Sequence, residues 1–357
     1  VTIDETLRAR EVLITCGTGG VGKTTLSAAL AVRAAIHGRN AIVLTIDPAK
    51  RLVTSLGLAE LGDHPADLTE ALREACRKAG VPCKGTLHAL MPDTRQTFET
   101  FVADLAPTPE VAARVLKNPI FHIFAKEFSG TNEYMALQRL FALVRKGGFD
   151  TIILDTPPSR NTLAFLEAPK LLSQFFEGNI IQWLVIPANR ILAAGMRKAL
   201  GLLEKITGAA FMTHLFEFAQ ALFEVRVNFT SNLDQITRLL ESEKTGFLLV
   251  AAPTPDTVSE VRHFIQSVRE HRFRFDGLAM NRTLIDLADR PDDWAGIPED
   301  QAKPARELMQ ALREREARAL AALETLELPV YARLPELARD VHSVEDLLHV
   351  ALALDRA

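Results

Sequence analysis

The sequence predicts an α/β fold: a doubly wound, mostly parallel sheet around a phosphate-binding loop, with an inserted α-helical subdomain. Three observations lead there. Residues Gly17-Thr18-Gly19-Gly20-Val21-Gly22-Lys23-Thr24 read G-x-x-x-x-G-K-[ST] between an apolar strand and an Ala/Leu-rich helix pattern. Short apolar runs recur along the chain, several without polar alternation, as strands buried on both faces require. Two long intervals, about 94 to 147 and 160 to 242, carry helical patterns with little strand character.

Taken in order, the expected strands are Val12–Cys16, Ala41–Asp47, Thr86–Leu90, Thr151–Asp155, Phe247–Ala252, Leu278–Asn281 and Val330–Leu334. Helical stretches between them give the β-α-β rhythm of a doubly wound sheet. The first such helix is expected over Thr24 to His37. Near the end, Pro291 to Pro304 reads as an Asp- and Pro-rich loop. It leads into a charged helix, Ala305 to Leu326, whose charges read as a solvated face. A last acidic and apolar helix covers Ser343 to Ala357. The domain boundaries follow: nucleotide core 1–93, helical insertion 94–147, core 148–162, second helical part 163–242, and core 243–357.

The glycine-rich segment sits on a strand-to-helix turn. Its backbone N–H groups and the positive end of the helix dipole favour a phosphate there. Gly17 through Thr25 form the cradle, Lys23 reaches the β- and γ-phosphates, and the Thr24 hydroxyl ligates Mg²⁺. On these residues alone the nucleotide is ATP or GTP.

Composition narrows the rest. The chain has 357 residues, 48% hydrophobic, enough for one large domain or two smaller ones. A net charge of -4 with mixed signs gives no electrostatic case for nucleic acid. Cys16, Cys76 and Cys83 form neither a C-x-x-C pair nor a zinc-ligand spacing, and Cys16 reads as core. No stretch approaches the roughly 20 apolar residues of a transmembrane helix, and no signal pattern opens the sequence. A soluble, cytoplasmic protein is the expectation.

Three strand ends carry polar residues where a nucleotide hydrolase needs them. Thr151-Ile-Ile-Leu-Asp155 is an apolar strand ending in an acid that would hold Mg²⁺ through a water; the plain alternative is a strand-end cap. Asp47, in Leu44-Thr-Ile-Asp-Pro-Ala49, would lie beside the γ-phosphate and orient or deprotonate water; a turn-initiating Asp-Pro is the alternative. Asn281 offers an amide donor and acceptor to a base edge, or a cap.

As a set, these segments resemble the arsenical-pump ATPase family, which includes the ATPases that target tail-anchored membrane proteins. The loop is similar to that family's G-K-G-G-V-G-K-T-T. Thr45-Ile-Asp47-Pro48-Ala49 resembles its first switch and Asp155-Thr-Pro-Pro-Ser-Arg-Asn-Thr162-Leu its second. Ser129-Gly-Thr-Asn-Glu133 resembles the P-G-x-D-E segment, and Leu334-Pro335-Glu336 the late loop that closes over the base. The resemblance implies a Mg-ATP-dependent dimeric ATPase, with Asp47 catalytic, Asn281 and Pro335 at the adenine, and a hydrophobic protein client. The sequence departs from the pattern in several places. Thr18 stands where the family has a second lysine that reaches the partner's nucleotide, so Lys50, Arg51 or Arg160 would substitute, or a lysine-bearing relative would complete a heterodimer. Arg160-Asn161 replaces the second switch's G-H, and the zinc-binding C-x-x-C is absent. The chain is one unit, and its cysteines do not match the metalloid cysteines of the arsenical pump, which ranks arsenite efflux low. A positioning ATPase also ranks low, because no basic amphipathic tail is visible.

The helical insertion is the best clue to the output. Phe211/Met212, Leu215/Phe216, Phe218/Ala219 and Leu222/Phe223 form two adjacent apolar stripes, and Phe175, Phe176 and Trp183 to Ile186 form a second cluster. Two readings stand: a helical layer buried on two sides, or a groove for a hydrophobic client helix. Only Met196 and Met212 supply methionine there, few for a promiscuous groove. The resulting expectation is a nucleotide-driven switch, homodimeric or heterodimeric, with a weakly hydrolysing subunit of a heterodimer as the alternative.

Overall fold

The computed structural model describes residues 2–45, 51–122, 131–156, 207–254, 256–284, 297–326, 328–337 and 339–354. Contacts divide the chain into two compact units. The first comprises Val1–Pro92, Leu143–Leu163 and Leu240–Ala357; the second, Asp93–Ala142 and Ala164–Leu239.

The first unit is built on an eight-stranded sheet. Its strands are β1 (Val12–Cys16), β2 (Asn40–Thr45), β3 (Ala66–Asp67), β4 (Thr86–Leu90), β5 (Thr151–Asp155), β6 (Thr245–Ala251), β7 (Phe275–Thr283) and β8 (Val330–Pro335), in the spatial order β3-β4-β2-β5-β1-β6-β7-β8. Every described pairing is parallel except that of β3 with β4. The predicted α/β fold is therefore present, with β3 as an addition. Two residues are too short to carry a period, so β3 leaves no pattern in the sequence.

Both faces of the sheet are covered, which is why the central strands read as unbroken apolar runs. Leu13, Val43, Ile153, Leu248 and Val250 join one core with the helices α1 (Ile3–Ala9), α2 (Lys23–Ile36), α4 (Thr69–Ala79) and the C-terminal helix, α11 (Val344–Ala353). The residues alternating with them point the other way. Among these, Phe247 stacks on Phe273 at 5.1 Å beyond the helix α9 (Thr257–Glu270).

Local chemistry sets the helix ends. Thr2 and Glu5 form a reciprocal capping box at α1, Ser343 caps α11 through the N–H of Asp346, and α4 stops at left-handed Gly80. Between β2 and α4 a short helix, α3, spans Arg51–Ser55. Arg33, buried on α2, binds Asp4 of α1 through Nε and Nη2 at 2.6 and 2.8 Å and the Ala351 carbonyl of α11 at 2.9 Å. One guanidinium thus ties both chain-terminal helices to the helix that starts at the glycine-rich loop.

The expected loop over Pro291 to Pro304 is corrected in its final part. Helix α10 begins at Glu299, runs to Glu324 and contains Pro304. Glu299 and Asp300 favour its N-terminus, and a helix of 26 residues survives the one backbone bond that proline removes. The charges of that helix are not all a solvated face. Glu316 is buried and accepts the Leu284 N–H at 2.8 Å.

The second unit contains α5 (Thr94–Leu105), α6 (Pro109–Lys117), most of α7 (Thr131–Lys146) and most of α8 (Ala209–Glu241). Phe98, Phe101, Phe121, Tyr134 and Phe229 form its aromatic core, with the Tyr134 hydroxyl donating to Asn232 at 3.1 Å. Along α8, Met212, Phe218, Ala219 and Leu222 are buried, whereas Phe211, Leu215 and Phe223 are half-buried and Phe216 is 40% exposed. The cluster expected at Phe175 to Ile186 lies outside the described residues, as does Met196. No described helix is long and apolar enough to cross a membrane.

Candidate functional site

The glycine-rich loop connects the C-terminal end of β1, at the centre of the sheet, to α2. Its conformation depends on three glycines. Gly17, Gly20 and Gly22 have φ of 151°, 81° and 85°, where side chains are strained. A Cβ on Gly17 would stand 2.2 Å from the Val250 carbonyl of β6, and one on Gly22 would stand 2.2 Å from the amide of Asn281. The loop is therefore wedged between its own helix and two neighbouring strand ends. Lys23 is buried and closes it from within, donating from Nζ to the carbonyls of Gly17 and Thr18 at 2.9 and 3.0 Å. Gly19 and Gly20 are exposed at the loop's crest, while Val21 is buried.

A group of hydroxyls surrounds the acid at the end of β5. Register explains it: Thr15 of β1 and Thr45 of β2 both align with Asp155. Asp155 is fully buried; its Oδ2 accepts from Thr24 at 2.8 Å and from Thr45 at 2.9 Å. Its Oδ1 lies 3.4 Å from Ser27, whose hydroxyl also meets Thr15 at 2.6 Å. Thr156 donates back to the Thr15 carbonyl at 2.8 Å. Thr24 and Asp155, paired for Mg²⁺ on sequence grounds, are thus in direct contact. Neither Thr15 nor Ser27 is marked by a local motif. The alignment of three parallel strands brings Thr15 and Thr45 to the acid, and the first turns of α2 bring Ser27.

This donor set fits a hard cation that keeps most of its water. Mg²⁺ takes one hydroxyl or carboxylate from the protein, with phosphate and water supplying the rest. Thr24 and Asp155 provide such oxygens beside the loop. Among the described residues no cluster of three acidic, histidine or cysteine groups offers a dedicated protein cage.

Two cavities open on the loop. One, of about 440 Å³, is lined by Lys23, Thr24, Arg51, Ser55 and Thr156. The other, of about 390 Å³, is lined by Leu26, Asn281, Leu334, Pro335, Glu336 and His349. Thr25 and Gly22 line both. The Asn281 amide donates to the Val21 carbonyl at 2.8 Å, leaving its second N–H and its carbonyl oxygen for another partner. Pro335 closes β8 beside it. Asp47, Lys50 and Arg160 lie outside the described residues, so the structure describes no position for the expected catalytic acid. Arg51 begins α3 at the first cavity.

At Thr18 the loop meets an acid. Glu260 on α9 lies near enough for the Thr18 hydroxyl to favour its charged form. Shielding from water and the nearby Asp256 outweigh that effect and hold the Glu260 carboxyl above its usual range. Cys16, under the loop, is core: burial pushes its thiol up to about 12.

The match to known proteins covers the loop, Asp155 and Asn281, and ends before Pro335. A family model described as anion-transporting ATPase matches residues 10–303. The chain belongs to that family. Among its relatives in the family, a Prosthecochloris vibrioformis protein provisionally named an arsenical pump-driving ATPase is 25% identical over 80% of this chain. An ATPase ASNA1 homolog of Trypanosoma cruzi is 27% identical over 77% of this chain and 75% of its own length. An ATPase get3 of Pyrenophora tritici-repentis is 22% identical over 77% of this chain and 74% of its own. The chain spans 65% of the Prosthecochloris protein's length. The family resemblance expected from the motifs is thus present, on an eight-stranded α/β sheet.

Proposed function

We propose that this protein is a Mg-ATP-dependent dimeric ATPase, a nucleotide-driven switch that couples hydrolysis to a hydrophobic protein client. The observation that carries the reading is the Thr24–Asp155 contact at the mouth of a glycine-rich loop flanked by two cavities, in a chain of an ATPase family. The base would occupy the cavity at Asn281 and Pro335. The phosphates would lie along Gly17 to Thr25, with Lys23 exchanging loop carbonyls for β- and γ-oxygens. Mg²⁺ would take the Thr24 hydroxyl directly and Asp155 through a water, and would neutralise charge on the phosphates. Asp47 would orient the attacking water. Positioning and electrostatics supply most of the rate effect in such chemistry.

The core would comprise 1–93, 148–162 and 243–357, and the helical output domain 94–147 and 163–242. The two compact units support this division. The half-exposed stripe at Leu215 and Phe216 supports a client surface on α8. Charged substitutions at either residue that abolish client binding in a folded protein are the expected result; unfolding would assign them to the core.

A second reading, a weakly hydrolysing subunit of a heterodimer, draws on Thr18. With threonine there and Glu260 against it, the loop's outer edge brings a negative group where a cation is expected. Light-scattering mass with ADP and with a non-hydrolysable ATP analogue plus Mg²⁺, alongside turnover, tests both. An ATP-dependent homodimer whose hydrolysis is lost in Asp47→Asn is the outcome expected. A monomer that binds nucleotide with negligible turnover would favour the heterodimer.

A further inference from the structure

The ladder between β7 and β8 slips at two places, and the second falls beside Asn281. Met280 aligns with Arg333, but the next pair is Thr283 with Pro335, so β7 carries one extra residue between them. Asn281 and Arg282 sit in this bulge, a feature that re-aims side chains next to functional sites. Arg282 has a φ of 60°, a left-handed backbone that disfavours any residue with a Cβ. Thr283 fixes the bulge from both sides. Its hydroxyl donates to the Leu334 carbonyl at 2.9 Å, and its carbonyl accepts the Glu336 N–H at 2.9 Å. The strained backbone is thus held by the strand pair, and an arginine, not a glycine, occupies it.

Position gives that arginine a use. Gly22, Thr25, Arg282, Asp340 and Val341 are the described residues that line both cavities, and Arg282 is the cation among them. Its one described ion pair is loose: Nε is 3.7 Å from Glu336, and the two side chains are 52% and 47% exposed. Such a pair holds little energy and exchanges partners readily. Asp340 and Glu336 flank the passage, while Lys23 and Arg51 line one cavity and Arg339 the other. A planar guanidinium suits bidentate capture of phosphate oxygens.

We infer that Arg282 binds the polyphosphate of the nucleotide where it passes between the two cavities, leaving Glu336 to do so. This rests on the proposed placement of ATP in those cavities and adds a binding residue to it. Glu336 then gains freedom when nucleotide enters, and the bulge at Asn281–Arg282 serves base and phosphate from adjacent positions.

The experiment is calorimetric titration of Mg-ATP and of adenosine into the purified chain and into Arg282→Ala, Arg282→Lys, Arg282→Gly and Lys23→Ala. Arg282→Ala should weaken Mg-ATP by about 10- to 100-fold, with adenosine affinity unchanged. Arg282→Lys should fall between. Arg282→Gly should raise the melting temperature, because it removes the left-handed strain, yet weaken Mg-ATP as much as alanine does. That opposition separates lost charge from damaged structure, and it stands even if the alanine variant folds poorly. If Arg282→Gly and Arg282→Lys bind Mg-ATP within about twofold of wild type while Lys23→Ala does not bind, the inference falls and the nucleotide reading stands. If the wild-type chain binds no Mg-ATP, both fall.

Discussion

Gly22 and Asn281, more than two hundred residues apart in sequence, are packed so that one methyl group would not fit between them. A Cβ on Gly22 would stand 2.2 Å from the Asn281 amide nitrogen, which itself donates to the neighbouring Val21 carbonyl at 2.8 Å. The start of α2 and the end of β7 are therefore one assembly, and the glycine-rich loop and the Asn281 cavity are positioned together.

Substituting Gly22 with alanine tests that assembly. The backbone there has φ of 85°, so the variant carries both left-handed strain and a collision. A loss of about 2 kcal/mol in urea unfolding is expected, together with weaker binding of a fluorescent ATP analogue. Unchanged stability and affinity would show that the contact is not maintained in solution.

Asp155 gathers Thr24, Thr45 and Ser27 around a fully buried carboxylate. Changing it to asparagine keeps the volume and removes the charge. Nucleotide affinity measured in EDTA should stay close to wild type, while the gain on adding Mg²⁺ should fall by about tenfold or more. A variant that keeps the full Mg²⁺ gain would remove Asp155 from the metal site.

The Asp4–Arg33 pair gives a pH signature. The Arg33 hydrogen bonds hold the Asp4 carboxyl below its ordinary value of 3.8, outweighing partial burial. Because the folded pKa is lowered, its stabilisation is present above that ordinary value and is lost as pH falls through the folded one. Asp4→Asn should therefore cost about 2 kcal/mol at pH 7, and the gap in urea midpoint between wild type and variant should close on acidification below the ordinary carboxyl value. A gap that persists undiminished there would contradict the ion pair.

The cysteines should separate by reactivity. Burial pushes Cys16 up to about 12, and burial together with Cys83 pushes Cys76 up to about 11, whereas Cys83 is only half-buried. Iodoacetamide at pH 8 should label Cys83 in the native protein and all three after unfolding, as read by peptide mass. Native labelling of Cys16 would show that the strand under the loop opens.

Much of this was legible in the chain itself. The loop spacing, the apolar runs on either side of it, and Asp155 at a strand end are local patterns, and β1, β4 and β5 lie where those patterns put them. What could not be read depends on alignment between distant segments. Thr15 and Thr45 belong to the acid's surroundings only because three strands end at one level. Arg282 has no local signature in the sequence, since a bulge comes from pairing with β8. Pro304 misled in the opposite direction: a local breaker, it is carried inside a long helix whose first turn is acidic. Glu316 is buried for a reason 32 residues away, at the Leu284 N–H.

The most direct measurement is phosphate release from Mg-ATP by the purified chain and by Asp47→Asn, with binding measured on both. Turnover by the wild type, reduced at least about 100-fold in the variant while nucleotide still binds, is the predicted result. Equal turnover in the two proteins, or none in the wild type at saturating Mg-ATP, would contradict a self-sufficient ATPase built on this loop.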